Sequence, residues 1–208
     1  MDNAAVQLFH YHLVTSELRD VEARYIGKLG FDLVARYGRI GEEHVTAEQG
    51  ASWEQLDRDG FRLRLTELQR GAVNVVIQPG HWRLPRIDHF GVVLDEDDFQ
   101  GALMRATQWN LPVQERGSRR TFISTNAGYR IEIHPPRDWI DELLERSSDF
   151  MLDEIQVKVD RPEQKAGVLA DVLDVPLLAA SVEIGETLVR FLPGGPEGRP
   201  ELYAERFV

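Results

Sequence analysis

The 208-residue chain contains no cysteine. Disulfides, thiolate metal ligands and cysteine nucleophiles are therefore excluded. It also lacks any apolar run near the ~20 residues a membrane-spanning helix requires, so no membrane partner is expected. The opening MDNAAVQLFHYH has neither a basic n-region nor a long apolar core. No secretory signal is expected, and a reducing cytoplasm fits the missing cysteines. Positive charge is scarce too. Against 35 Asp and Glu there are 24 Lys and Arg, a formal net charge of −11. That balance argues against a nucleic-acid partner, because a polyanion is normally met by a basic surface. Arg119, Arg120 and the nearby Arg130 form only a local basic feature, either a solvated strand end or an anchor for an anionic ligand.

What is present is an ordinary globular composition, 42% hydrophobic and 28% charged, written as one supersecondary pattern more than once. VQLFHYHLVT reads as a strand. SELRDVEARYIGKLGF follows with Leu18, Val21, Tyr25 and Leu29 at helical spacing, Ser16 placed to cap it and Gly30 to end it. DLVARYG, FRLRLTEL and AVNVVIQPG then read as strands. In FRLRLTEL, Phe61, Leu63 and Leu65 alternate with Arg62, Arg64 and Thr66. The stretch GEEHVTAEQGASWEQLDRDG reads as a loop with a short helical piece.

The same order returns with IDHFGVVLD as strand and DEDDFQGALMRATQW as helix, its core face being Phe99, Leu103, Ala106 and Trp109. VQERGSRRTFIST and GYRIEIHPP supply three more strands. RDWIDELLERSSDF reads as an amphipathic connector. A third, incomplete copy runs through DEIQVKVD, RPEQKAGVLADVLD, SVEIGETLVRFLP and PELYAERFV, with Pro162 suited to a first helical turn. The expected organisation is therefore a first unit over 1–82, a second over 83–136, a connector helix over 137–150 and a partial unit over 151–208.

Overlaying the copies places histidines in register. His89 and His10 each precede a helix-starting Asp95 or Ser16 by six residues, and the same offset in the third copy lands on Glu154. At the closing strands IEIHPP lies over VVIQPG, so Glu132 corresponds to Val76, and Arg190 takes that place in the third copy. Alternation in YRIEIHPP puts Arg130, Glu132 and His134 on one face and Ile131 and Ile133 on the other. A glutamate on an inward face needs a cation, a hydrogen-bond partner or a retained proton.

The repeated strand, helix and three strands, the HYHLVTS and HFGVVLD openings and the LGF after the first helix resemble the vicinal oxygen chelate superfamily. That group includes glyoxalase I, bleomycin-resistance proteins and extradiol dioxygenases. The resemblance implies an α+β fold of βαβββ units, with a curled sheet forming a cup and the helices outside. It also implies metal ligands on the first and last strands of each unit, here His10, Val76, His89 and Glu132. Three of these can ligate. Two histidines and a carboxylate match the set associated with non-haem Fe(II), although Mn, Zn, Co and Ni suit the same donors. Val76 stands where glyoxalase I would be expected to place a fourth ligand.

The implied function is a metal-dependent enzyme acting on a small substrate with vicinal oxygens, with extradiol-dioxygenase-like chemistry favoured. The alternatives are isomerase or lyase chemistry, or metal-free binding in the same cup. His12 faces inward as a candidate acid–base group, and Val76, Gln78, Arg130 and His134 are candidate pocket residues. Tyr129 points the other way, toward core or helix. His44 and His81 fall in loops. The third copy carries no comparable ligand set and is expected to cover a sheet edge or to pair in a homodimer.

Overall fold

The computed structural model describes residues 6–47, 49–116, 120–136, 140 and 149–208. The chain runs through β1 (Gln7–Thr15), α1 (Leu18–Gly27), β2 (Asp32–Ile40), β3 (Glu43–Ala47), α2 (Trp53–Arg58), β4 (Phe61–Arg70) and β5 (Val73–Pro79). It continues through β6 (Arg86–Val93), α3 (Glu96–Gln108), β7 (Val113–Arg116), β8 (Arg120–Ser124) and β9 (Arg130–His134). Last come β10 (Leu152–Lys158), α4 (Pro162–Leu173), β11 (Leu177–Leu178), β12 (Ser181–Ile184), β13 (Thr187–Leu192) and β14 (Glu201–Phe207).

The opening and closing strands of each unit pair in parallel, β1 with β5, β6 with β9 and β10 with β13. Parallel partners cannot be joined by a tight turn, so a helix-containing crossover separates them. The opening strands of the first two units, β1 and β6, pair antiparallel, and β10 pairs antiparallel with the last strand, β14. The result is one curled, unclosed sheet in the order β11-β12-β13-β10-β14-β6-β1-β5-β4-β2-β3, with β9, β8 and β7 branching from β6. The two-residue β11 keeps the third copy short of a full-size unit.

The core lies between the sheet and the helices. Ile131 and Ile133 of β9 are buried there with Phe90, Val92 and Tyr129, against Ala102 and Ala106 of α3 and Leu169 of α4. Each fully buried aliphatic side chain contributes about 1.5–3 kcal/mol relative to exposure. Tyr129 faces this side and donates from its hydroxyl to the Lys165 carbonyl (2.7 Å). Asp95 caps α3 by accepting from the Asp98 N–H (2.8 Å), and Pro162 opens α4.

Local details depart from the sequence reading in four places. Ser16 does not cap α1. Its entry is set instead by Thr15, whose hydroxyl accepts from the Glu17 N–H (3.1 Å). The expected loop after β2 contains β3, which forms a hairpin with β2 and puts His44 on a strand. Trp109 caps the end of α3 and is 47% exposed, because the helix finishes before a further turn could bring it inward. In β4 the alternation breaks. The β2–β4 register skips Arg64, so Leu63 and Phe61 face the α1 and α2 side while Arg64 and Leu65 both line the opposite face. Such a bulge re-aims side chains at the cost of local ladder pairing. The expected connector helix lies almost wholly outside the described residues; its Ile140 is buried against Phe9 and Val93.

The bulges recur. The antiparallel pairings skip Phe9 on β1, Asp88 on β6, Asp153 on β10 and Tyr203 on β14. Each skipped residue directly precedes the inward position of its strand: His10, His89, Glu154 and Ala204.

Candidate metal centre

β1 and β6 cross antiparallel with Tyr11 opposite Phe90 and His12 opposite His89. This brings His10, His12 and His89 onto one face of adjacent strands. Gly91 makes room, since a Cβ there would come within 2.7 Å of the His10 Cβ. β9 lies on the other side of β6, with Glu132 opposite Gly91. All four side chains are at least nine-tenths buried.

Their nitrogen and oxygen atoms approach closely. His10 Nε2 is 3.1 Å from His89 Nε2, and His89 Nε2 is 2.9 Å from Glu132 Oε2. Among the described residues, one ligating atom each of His10, His12 and His89 lies within 4.8 Å of the others. The mutually close group is thus the three histidines, including His12, and Glu132 approaches it at His89.

The surrounding hydrogen bonds assign the protons. Asn74 Nδ2 donates to Glu67 Oε1 (3.0 Å) and Gln69 Oε1 (3.1 Å). Its Oδ1 is therefore the acceptor for His10 Nδ1–H, at 2.7 Å. His89 Nδ1–H donates to Asp88 Oδ2 at 2.8 Å. His10 consequently aims an Nε2 lone pair at His89 Nε2, toward which Glu132 also turns Oε2. A single proton on His89 Nε2 could serve Glu132 or His10, but not both. The two separations at His89 Nε2, 3.1 Å to His10 and 2.9 Å to Glu132, match the spacing of neighbouring ligands around an ion at ~2.0–2.2 Å. The backing of each imidazole by an acceptor on its far nitrogen is also what metal-binding histidines require.

The electrostatics suit that use. Burial, reinforced by the charge of His89, pushes His10 down to about 4, so its imidazole is neutral at neutral pH. Burial, then the neighbouring His89 and His10, lower His12 well below the usual histidine value, and His12 Nε2 is buried without a hydrogen-bond partner among the described residues. Burial works against an ionised Glu132, but hydrogen bonds from His134 (3.0 Å to Oε1) and His89 outweigh it and hold the carboxyl well below its ordinary range. Arg120 Nε lies 3.6 Å from the same Oε1.

Three groups converge around Asp88, which simple strand alternation would turn to the other face. Burial would raise its pKa, but the His89 ring and Arg130 hold it well below the usual carboxylate range. Arg130 ion-pairs with Oδ2, and Arg199 lies 2.7 Å from Oδ1. Arg199 comes from the segment between β13 and β14. Buried Lys165 fixes that segment by donating to the Gly198 carbonyl (2.6 Å). Gly128 (φ +89°) lets it approach, because a Cβ there would meet the same carbonyl at 2.0 Å. The third unit thereby reaches the centre through Arg199, Asp88 and His89. An acidic residue directly before the ligand histidine was the available signal, but a regular strand would have turned it to the other face. The bulge is what brings it round.

A cavity of about 350 Å³ opens above the cluster. Phe9, Val76, His134, Tyr37, Arg64 and Arg120 are among its walls. Val76 and His134 were expected there. Gln78 lies further along β5 and does not line it, and Arg130 is taken up by Asp88 and by stacking over Phe122 (4.6 Å). Among the described residues no helix is long and apolar enough to cross a membrane.

No family model matches the sequence, and no curated protein matches it. Solved structures do resemble the chain. A variant of 4-hydroxymandelate synthase from Streptomyces coelicolor is 14% identical, with a TM-score of 0.62 over 91% of this chain and 63% of its own. A Mn(II)-bound glyoxalase from Novosphingobium aromaticivorans is 12% identical, with a TM-score of 0.55 over 95% and 64%. A 2,3-dioxygenase from a Pseudomonas species is 14% identical, with a TM-score of 0.55 over 98% and 75%. The chain spans less than two thirds of the length of the first two. At these identities the likeness is one of fold.

Proposed function

We propose that this chain, which has the fold of the vicinal oxygen chelate superfamily, is a metal-dependent enzyme acting on a small substrate through two neighbouring oxygens. The observation that carries this reading is that His89 Nε2 meets both His10 Nε2 (3.1 Å) and Glu132 Oε2 (2.9 Å), with His12 in the same cluster. His10, His89 and Glu132 would hold the ion. Two histidines and one carboxylate favour Fe(II) and dioxygenase-like ring cleavage, and Mn, Zn, Co or Ni would suit the same donors. A bound divalent ion would polarise the substrate oxygens and stabilise the negative charge that develops on them.

The chain's own groups do the rest. Asn74 and Asp88 keep the Nδ1 protons of His10 and His89 in place, which leaves both Nε2 lone pairs directed at the ion. His134 binds Glu132 Oε1, which leaves Oε2 for the ion. Val76 contributes no ligand, so coordination positions stay open for substrate. His12, neutral and with Nε2 unpartnered, is placed to take a proton from a substrate hydroxyl and return it later.

The test is metal analysis by mass spectrometry after purification without chelator, followed by oxygen uptake with vicinal diols. One ion per chain and Fe(II)-dependent oxygen consumption are expected. Metal binding without oxygen uptake would turn the reading to isomerase or lyase chemistry. A chain that takes up no ion would turn it to metal-free binding in the same cup. His12→Ala separates the role of that residue, since retained metal with lost turnover is expected of a proton carrier and lost metal of a ligand. The reading also includes a homodimer formed through the third unit, whose edge strand β11 exposes Leu177 and Leu178. Light scattering should then give twice the chain mass, and Leu178→Asp should halve it.

A further inference from the structure

Two arginines stand in the walls of the cavity, one from each unit. Arg64 comes from β4 of the first unit, turned inward by the bulge that skips it in the β2–β4 register. Arg120 opens β8 of the second unit, approaches Glu132 and lines the same cavity as Tyr37. Arg64 makes no ion pair or hydrogen bond among the described residues. Arg120 contacts Glu132 with Nε alone, at 3.6 Å, and its side chain is 61% exposed.

The carboxylates that share this cavity are already engaged. Glu67 accepts from Asn74 Nδ2 (3.0 Å) and the Tyr37 hydroxyl (3.2 Å), and Glu132 accepts from His134 while turning toward the proposed ion. The third nearby acid, Asp88, lies behind His89 and is bound by Arg130 and Arg199. Two guanidinium groups thus face the cavity, Arg64 with no acid partner among the described residues and Arg120 with only the 3.6 Å approach to Glu132, in a chain whose net charge is −11. A solvated arginine needs no bulge to reach water. Here the ladder is broken and the side chain is delivered to the cavity wall.

We propose that the cavity takes a small molecule with an anionic group at its far end, held between Arg64 and Arg120 while its vicinal oxygens face the histidine cluster. The proposal rests on the metal-centre reading for the head of that molecule and on the two arginines alone for its tail. Guanidinium groups bind carboxylate and phosphate through paired N–H donors, and the half-exposed position makes the contact dependent on salt.

The experiment is anaerobic calorimetry on the metal-loaded full chain with four probes: 3-(3,4-dihydroxyphenyl)propionate and its methyl ester, and 3-phenylpropionate and its methyl ester. In the unaltered protein each acid is expected to bind about 10-fold more tightly than its ester. In Arg64→Gln and Arg120→Gln that ratio is expected to fall toward one, with metal content measured alongside. If both acids keep the preference but the diol adds nothing, the anionic tail site stands and the vicinal-oxygen reading falls. Equal binding of acid and ester in the unaltered protein overturns the proposal, as does a ratio that both variants leave unchanged. A phosphate-ended analogue run in parallel separates the two anions, since tighter binding than the carboxylate identifies a dianion as the preferred tail.

Discussion

The face shared by β1 and β6 and the face shared by β10 and β14 are built alike and do different things. Both are antiparallel pairs, with a bulged residue before each inward position. In the first pair the inward positions are His10 and His89, with Glu132 beside them on β9. In the second they are Glu154 and Ala204, with Arg190 at the place Val76 occupies on β5. Glu154 there bonds to Arg190 Nε (2.7 Å) and Gln156 Nε2 (3.1 Å), and Arg206 lies 3.1 Å from its other oxygen. Opposite charges satisfy one another at the second face. At the first, electron-rich atoms face each other with too few protons between them. One backbone arrangement can therefore present either a closed ion-pair cluster or an open demand for a cation, and three or four side chains decide which.

The largest expected effect comes from removing a donor at the first face. His89→Ala and Glu132→Ala should each lose stoichiometric metal while circular dichroism shows the fold retained. Unchanged occupancy in both would make the two faces equivalent and end the comparison. Next comes the support behind the donors. Asp88→Asn should weaken metal affinity by roughly 10–100-fold, the usual cost of losing a partner behind a ligand histidine. Arg199→Ala, one step further out, should weaken it less. Titration against a competing chelator measures both.

At the second face the effects should fall on stability alone. Arg190→Ala removes one partner from a half-exposed pair and should cost about 1 kcal/mol or less in urea unfolding, with metal content unaltered. The smallest effect is on pH dependence. The Arg190 hydrogen bond leads in holding the Glu154 carboxyl below its ordinary value, against burial, with Gln156 adding to it. A depressed carboxyl contributes stability above its unfolded pKa and loses it as pH falls toward the folded one. Glu154→Gln should therefore flatten the decline in stability below about pH 4.5. A decline as steep as that of the unaltered chain would place the acid sensitivity elsewhere.

Much of this was legible in the residues. The repeated order of strand, helix and strands follows from periodicity, and overlaying the copies puts His10 in register with His89 and Glu132 in register with Val76; that these positions ligate is what the family resemblance implies. Asn74, Asp88, Arg64 and Arg199 were not legible. Asn74 acts through contacts on neighbouring strands, and Arg199 comes from a different unit. Asp88 and Arg64 gain their roles from bulges, each of which turns a residue to the face opposite the one simple alternation predicts. Arg130 shows the converse. It lies on the expected face, but the skipped Asp88 beside His89 captures it before it can line the cavity.

By itself, then, the sequence determined the α+β class, the repeat and the residue types that could bind a metal. Those depend on local spacing and on chemistry that each side chain carries wherever it lies. The tertiary structure decided which donors share one space, which protons they retain and which arginines reach the cavity. These depend on where independent strands cross and where their ladders slip by one residue. A slip of one residue reverses the face of a side chain, and nothing in its immediate neighbours announces it.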